Sequence, residues 1–173
     1  PSSHVTNEDL NQFNGIDIAF VIDTTSSMGP YIEETKKSII DIIQTSEEPI
    51  KEAFPLDYTE RIKFGIVSYR DHPPQEESFV TKIYDFSNST NTLQVINLLE
   101  PSGGGDEPEA VMDGMNDAVN NLSWRKDSDK MLFLILDAPP HGIRFGTEYD
   151  CPCKITEKNF LPKMVKKQIR FFI

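Results

Sequence analysis

At 173 residues the chain has the length of one domain and enough side chains to bury a sizeable core. An apolar share of 38% with 11 Phe, 5 Tyr and one Trp excludes a disordered segment, which would lack those large side chains. A formal net charge of -11 argues against nucleic acid and anionic membrane surfaces as partners, because both demand Lys and Arg to displace counterions.

The polar segment 1–13 reads as a lead-in, followed by one domain over 14–173. Short runs rich in β-branched and aromatic residues at 16–22, 62–69, 79–86, 131–136 and 169–173 predict five strands. Helical patterns lie between most of them. Met28, Ile32, Ile39 and Ile43 form one stripe, and Val111, Met115, Ala118, Val119 and Leu122 form another, while 92–99 and 160–167 read as shorter helices. Alternating strands and helices, with strands apolar on both faces, predict a doubly wound, mainly parallel central sheet with helices on both faces. The loop between 62–69 and 79–86 is too short for a crossover helix, so that pair should be antiparallel with its second strand at an edge. The last predicted strand ends with the sequence, which is the pattern of a domain excised from a longer protein.

No apolar run approaches the roughly 20 residues of a membrane-spanning helix, so membrane insertion is not expected. The first residues, Pro-Ser-Ser-His, lack the basic and apolar stretches of a signal peptide. Cys151 and Cys153 stand too close together for an ordinary fold-stapling disulfide, which favours a reducing compartment. The expected location is cytoplasmic.

Three strands finish with an aspartate: Asp23, Asp71 after Arg70, and Asp137. In open α/β sheets ligands sit outside the carboxyl ends of the strands, so these carboxylates should share one rim. An Asp in such a place is commonly a turn former or helix cap, but three crowded carboxylates repel unless a cation lies among them. After the first strand, Asp23, Thr25 and Ser27 put oxygen side chains at alternate positions, the ligand type a hard cation selects. The competing role for Thr25, Ser26 or Ser27 is to cap the following helix.

Asp23-x-Thr25-x-Ser27 resembles the DxSxS signature of the metal-ion-dependent adhesion site in von Willebrand factor type A domains, with Thr for the middle Ser. Such domains have a Rossmann-like doubly wound fold. They complete the site with a Thr in a Gly-containing loop and an Asp after a later strand. Asp137 matches the latter; Asp106, in Gly103-Gly104-Gly105-Asp106-Glu107-Pro108-Glu109, stands where Thr is usual. Asp106 also reads as the start of an Asp-x-x-Glu capping box with Pro108 in the first turn. The phrases Ser68-Tyr69-Arg70-Asp71-His72-Pro73, Asp137-Ala138-Pro139-Pro140-His141-Gly142 and Cys151-Pro152-Cys153 are similar to those of intracellular type A domains associated with alpha-kinases. The resemblance covers nearly the whole chain from about Ile16. It implies a non-catalytic protein-binding module that holds Mg²⁺, Mn²⁺ or Ca²⁺ through Asp23, Thr25, Ser27, Asp106 and Asp137. Its partner-binding rim would comprise Asp71, Arg70, Thr24, Ser26 and His141.

Two other readings compete. One is a metal-free scaffold of the same fold. The other is a Mg²⁺-dependent phosphotransferase of the haloacid dehalogenase kind, which needs an Asp acid/base where Thr25 stands. His141, Cys151 and Cys153 have the donor chemistry of zinc ligands, yet a CxC pair lacks the usual CxxC spacing and no fourth ligand is evident nearby, so loop thiols are the expected reading.

Overall fold

The computed structural model describes residues 12–105, 108–141 and 152–173. Its strands are β1 (Ile16–Asp23), β2 (Ile62–Tyr69), β3 (Thr81–Ser87), β4 (Asp129–Ile135) and β5 (Ile169–Phe172). Its α-helices are α1 (Ile32–Ala53), α2 (Tyr58–Arg61), α3 (Ser89–Asn97), α4 (Val111–Asn121) and α5 (Glu157–Lys166), with a single 3₁₀ turn at Ser26–Met28. They form a five-stranded sheet in the order β3-β2-β1-β4-β5. β1 pairs in parallel with β2 and β4, β4 pairs in parallel with β5, and only β3 runs antiparallel, against β2. The mainly parallel, doubly wound sheet with one antiparallel edge strand is the architecture expected from the sequence.

β1 is central because both of its faces are apolar. Ala19 and Val21 point to one side, where Val67, Tyr69 and Leu132 join Val111, Met115, Ala118 and Val119 of α4 and Phe160 and Met164 of α5. Ile18, Phe20 and Ile22 point to the other, against Phe64 and Ile66 of β2, Ile39 and Ile43 of α1 and Ile96 of α3. The two-residue period thus divides one run of five apolar residues between two cores. Each fully buried Ile or Phe contributes about 1.5–3 kcal/mol through area removed from water.

β3 is largely exposed, in keeping with its edge position. It begins at Thr81 rather than Phe79. Phe79 instead lies beneath the cationic groups of Arg70 and Lys82, and the Val80 carbonyl accepts from the Arg70 N–H across the loop. The N-terminal stripe is also divided differently: Met28 is buried in the 3₁₀ turn, and α1 starts only at Ile32 after Gly29 and Pro30.

The end of the sheet opposite the predicted ligand rim is locked by Asp17. Its Oδ1 accepts from Arg125 Nε at 2.7 Å, and its Oδ2 accepts from Arg125 N at 2.8 Å and Ser128 Oγ at 2.7 Å. Arg125 also donates to the carbonyls of Ile16, Glu60 and Arg61, so one guanidinium ties together the entrances of β1 and β2.

At the other end the chain leaves β1 for α1 on one face and reaches β4 from α4 on the other. The crossovers reverse between β1 and β4, which opens a crevice at their carboxyl ends. Asp23 ends β1, and Asp137 follows β4 by two residues.

Candidate metal centre

The loop after β1 turns its oxygens onto one another. Asp23 Oδ1 accepts from the Thr25 N–H at 2.8 Å and from Thr25 Oγ1 at 2.6 Å. Thr25 Oγ1 lies 3.0 Å from Ser27 Oγ, which donates to Asp137 Oδ1 at 3.0 Å. A relay of two hydroxyls therefore connects the carboxylates that end β1 and follow β4. The hydroxyls do not cap a helix. The turn at Ser26–Met28 has no side-chain cap from Thr25, and the Ser26 hydroxyl donates to the Gly103 carbonyl at 2.7 Å.

The Gly-rich loop closes over this strand end through the backbone. Ser26 N donates to Gly103 O at 2.9 Å and Ser102 N to Thr24 O at 3.0 Å. Gly103 and Gly104 both adopt φ of +74°, a conformation open to glycine at no steric cost. At Gly104 a Cβ would stand 2.9 Å from Glu109 Oε1 and 3.1 Å from Thr25 Cβ, so the absent side chain lets this backbone lie against both residues.

Asp23 is wholly buried, and its Oδ2 has no hydrogen-bond partner among the described residues. Burial raises its pKa above the ordinary 3.8 and the nearby Asp137 adds to the rise, against the opposing interactions with Thr25 and the Tyr69 hydroxyl. Tyr69 tells the same story from the facing side. Its hydroxyl is buried and its pKa is pushed well up, first by burial and then by the negative charges of Asp23, Glu109 and Asp137. A buried carboxylate set among other carboxylates and neutral hydroxyls is the donor set a hard divalent cation accepts. The residues fit such an ion.

Four of the five expected ligands, Asp23, Thr25, Ser27 and Asp137, come together; Asp106 lies outside the described residues. The expected Asp106 capping box lies partly outside the described residues, and the helix start that is described falls later. α4 begins only at Val111, so Pro108 and Glu109 precede it and Ala110 occupies the cap position. Glu109 is instead buried against Gly104, a carboxylate of the site that the sequence presented as a helix residue. The signal that was present is its place in an Asp-x-x-Glu phrase within a Gly-rich loop; only the true start of α4 distinguishes the two roles.

The expected rim changes in composition. Ser26 is exposed, but Thr24 is buried with its hydroxyl on the Tyr69 carbonyl at 2.9 Å, and Asp71 is fully buried, so neither faces outward. Arg70 is directed at Ser78 Oγ at 2.8 Å, the Glu100 carbonyl at 3.2 Å and Glu76 at 3.5 Å, so its charge is met by Glu76. His141 is half-buried beside Asp71, its Nε2 at 2.8 Å from Asp71 Oδ1.

A sequence profile described as von Willebrand factor A domain matches residues 17–148. Over 136 residues the chain is 33% identical to "Alpha-protein kinase vwkA" of Dictyostelium discoideum, covering 78% of this chain and 20% of that protein. It is 31% identical over 131 residues to "Putative ariadne-like RING finger protein R811" of Acanthamoeba polyphaga mimivirus, covering 73% of this chain and 11% of that protein. The chain thus spans a fifth or less of the length of these curated relatives. Among solved structures, proximal thread matrix protein 1 from the mussel byssus superposes with a TM-score of 0.59 at 18% identity, over 94% of this chain and 38% of that one.

Proposed function

Because the chain belongs to the von Willebrand factor A domain family, we propose that it is a divalent-cation-dependent protein-binding module, non-catalytic in itself and part of a larger cytoplasmic protein. The observation that carries this reading is the fully buried Asp23 carboxylate at the head of the hydroxyl relay to Asp137. Asp23, Thr25, Ser27 and Asp137 would hold the ion, with Asp106 as a further ligand, and Mg²⁺ is the first choice among Mg²⁺, Mn²⁺ and Ca²⁺. When bound, the ion offers an open coordination position that an oxygen of a partner protein can fill.

The protein's own contribution is positional. Thr25 and Ser27 fix the orientation of both carboxylates, and the Gly103–Gly104 backbone holds the loop over them. The phosphotransferase alternative gains no support, because Thr25 occupies the position of the required acid and its hydroxyl is engaged by Asp23.

Calorimetric Mg²⁺ titration of the wild type and Asp23→Ala, with a phosphatase assay alongside, tests the reading. A saturable exothermic or endothermic site in the wild type, lost in the variant, and no phosphatase activity are expected. Equal titration of both proteins would place the ion elsewhere, and Mg²⁺-dependent phosphatase activity lost in the variant would make the domain an enzyme.

A further inference from the structure

A second group of ligand-type side chains lies beyond the hydroxyl relay, where the carboxyl end of β2, the first turn of α4 and the segment before α5 meet. His72 Nε2 is 3.3 Å from Asp113 Oδ2, and Cys153 Sγ is 2.8 Å from Asp113 Oδ1. One donor atom from each of His72, Asp113 and Cys153 falls within 4.8 Å of the other two. Zinc bonds of about 2.0–2.3 Å in tetrahedral array place neighbouring donors about 3.3–3.8 Å apart, so one ion bridges this group after only small side-chain adjustments.

The histidine sits between two carboxylates. Asp71, fully buried, sets one carboxylate oxygen 3.6 Å from His72 Nδ1, on the opposite side of the ring from the nitrogen that faces Asp113. The hydrogen bond between the two residues runs through the backbone: His72 N donates to Asp71 Oδ1 at 2.7 Å, which fixes the start of this segment beside the buried carboxylate. The same Asp71 oxygen meets His141 Nε2 at 2.8 Å, which makes Nε2 the protonated nitrogen and leaves Nδ1 with its lone pair. That Nδ1 is buried without a hydrogen-bond partner among the described residues, in a side chain only 9% exposed whose ring meets His72 edge-on at 5.5 Å. His141 therefore brings a further nitrogen donor beside the group.

We propose that His72, Asp113 and Cys153 bind a Zn²⁺ ion, and that this ion staples the segment before α5 to the loop after β2 and to α4. Imidazole, thiolate and carboxylate together select zinc over the hard cations of the relay, which avoid nitrogen and sulfur. The ion replaces the Cys153–Asp113 hydrogen bond, and the thiol proton leaves to solvent as the sulfur becomes a thiolate ligand. The objection raised by the CxC spacing falls away, because the other ligands come from the loop after β2 and from α4 rather than from the local sequence.

The test uses the whole chain, purified without chelator and stripped before titration with Zn²⁺ or Co²⁺. Stoichiometric zinc on purification, a thiolate-to-cobalt charge-transfer band in the near ultraviolet, and proton release on binding are expected. Cys153→Ser should lose the band while keeping its Mg²⁺ titration, and His72→Ala should likewise lose stoichiometric zinc. Asp23→Ala should keep zinc and the band, which separates this site from the relay whatever the fate of Mg²⁺ there. A folded wild type that binds no zinc and shows no band, or a Cys153→Ser variant that retains both, overturns the proposal.

Discussion

A single carboxylate decides whether the relay needs an ion. With Asp23 raised above 3.8 by burial and by Asp137, the folded protein binds the Asp23 proton more tightly than the unfolded chain does. That contribution to stability is full below the unfolded pKa and is lost as pH rises through the raised folded value. In chelator, the stability of the wild type relative to Asp23→Asn should therefore fall as pH rises from below 4 towards neutrality, and at neutral pH the variant should match or exceed the wild type. Mg²⁺ reverses the order: at a hundredfold excess over Kd it adds about 2.7 kcal/mol to the wild type alone. Urea unfolding of both proteins across pH, with and without chelator, measures this; a wild type that is the more stable at neutral pH in chelator would show that the buried charge is satisfied by protein. Gly104 bears on the same site through its backbone. Gly104→Ala forces an L side chain to φ +74° and into Glu109 and Thr25, so it should cost about 1–2 kcal/mol and weaken Mg²⁺ binding, as thermal unfolding and calorimetry will report.

At the scale of elements, stability and binding separate along β1. Asp17 at its start and Asp23 at its end are both fully buried, yet Asp17 has the side chain and backbone N–H of Arg125 and the Ser128 hydroxyl as donors. Asp17→Ala should cost about 3 kcal/mol, the low end for a broken buried pair because Arg125 keeps 32% of its side chain exposed. Mg²⁺ affinity should be unchanged by it. A lower urea midpoint with an intact titration is the expected result, and weakened Mg²⁺ binding in the folded variant would show that the two ends are coupled. The strands were legible in the sequence because β1, β2 and β4 are apolar on both faces, and β3 because its loop allows no crossover. The positions of Asp23 and Asp137 followed from strand ends, and Thr25 and Ser27 from the alternate spacing of oxygen side chains after Asp23. The roles of His72, Asp113 and Glu109 did not, since Asp113 and Glu109 sit in or beside a helical pattern and their neighbours come from other elements. The break at Gly29 and Pro30 was equally hidden, because Met28 and Ile32 keep a helical spacing across it.

For the molecule as a whole, charge sets what can approach the site. Asp23, Glu109 and Asp137 act together on Tyr69, and as three carboxylates they offer up to three negative charges against the two positive charges of a divalent ion, within a chain of net charge -11. Two carboxylates with neutral hydroxyls would balance the ion and leave it open to an incoming acid. A third carboxylate holds the cation more firmly and repels the acid, and Asp106, as the further proposed ligand, would add to the excess. Tight cation binding with weak capture of acidic peptides is therefore expected, and a neutral oxygen is the better partner ligand. The distant part of this repulsion is screened over about 8 Å at physiological salt, so raising ionic strength should improve acidic-peptide binding only modestly. Glu109→Gln and Asp106→Thr should each bind Mg²⁺ more weakly and acetate or an acidic peptide more strongly than the wild type. Calorimetry with each ligand in turn decides the matter: variants that hold Mg²⁺ as tightly and bind carboxylate no better would remove charge balance as the control on partner choice.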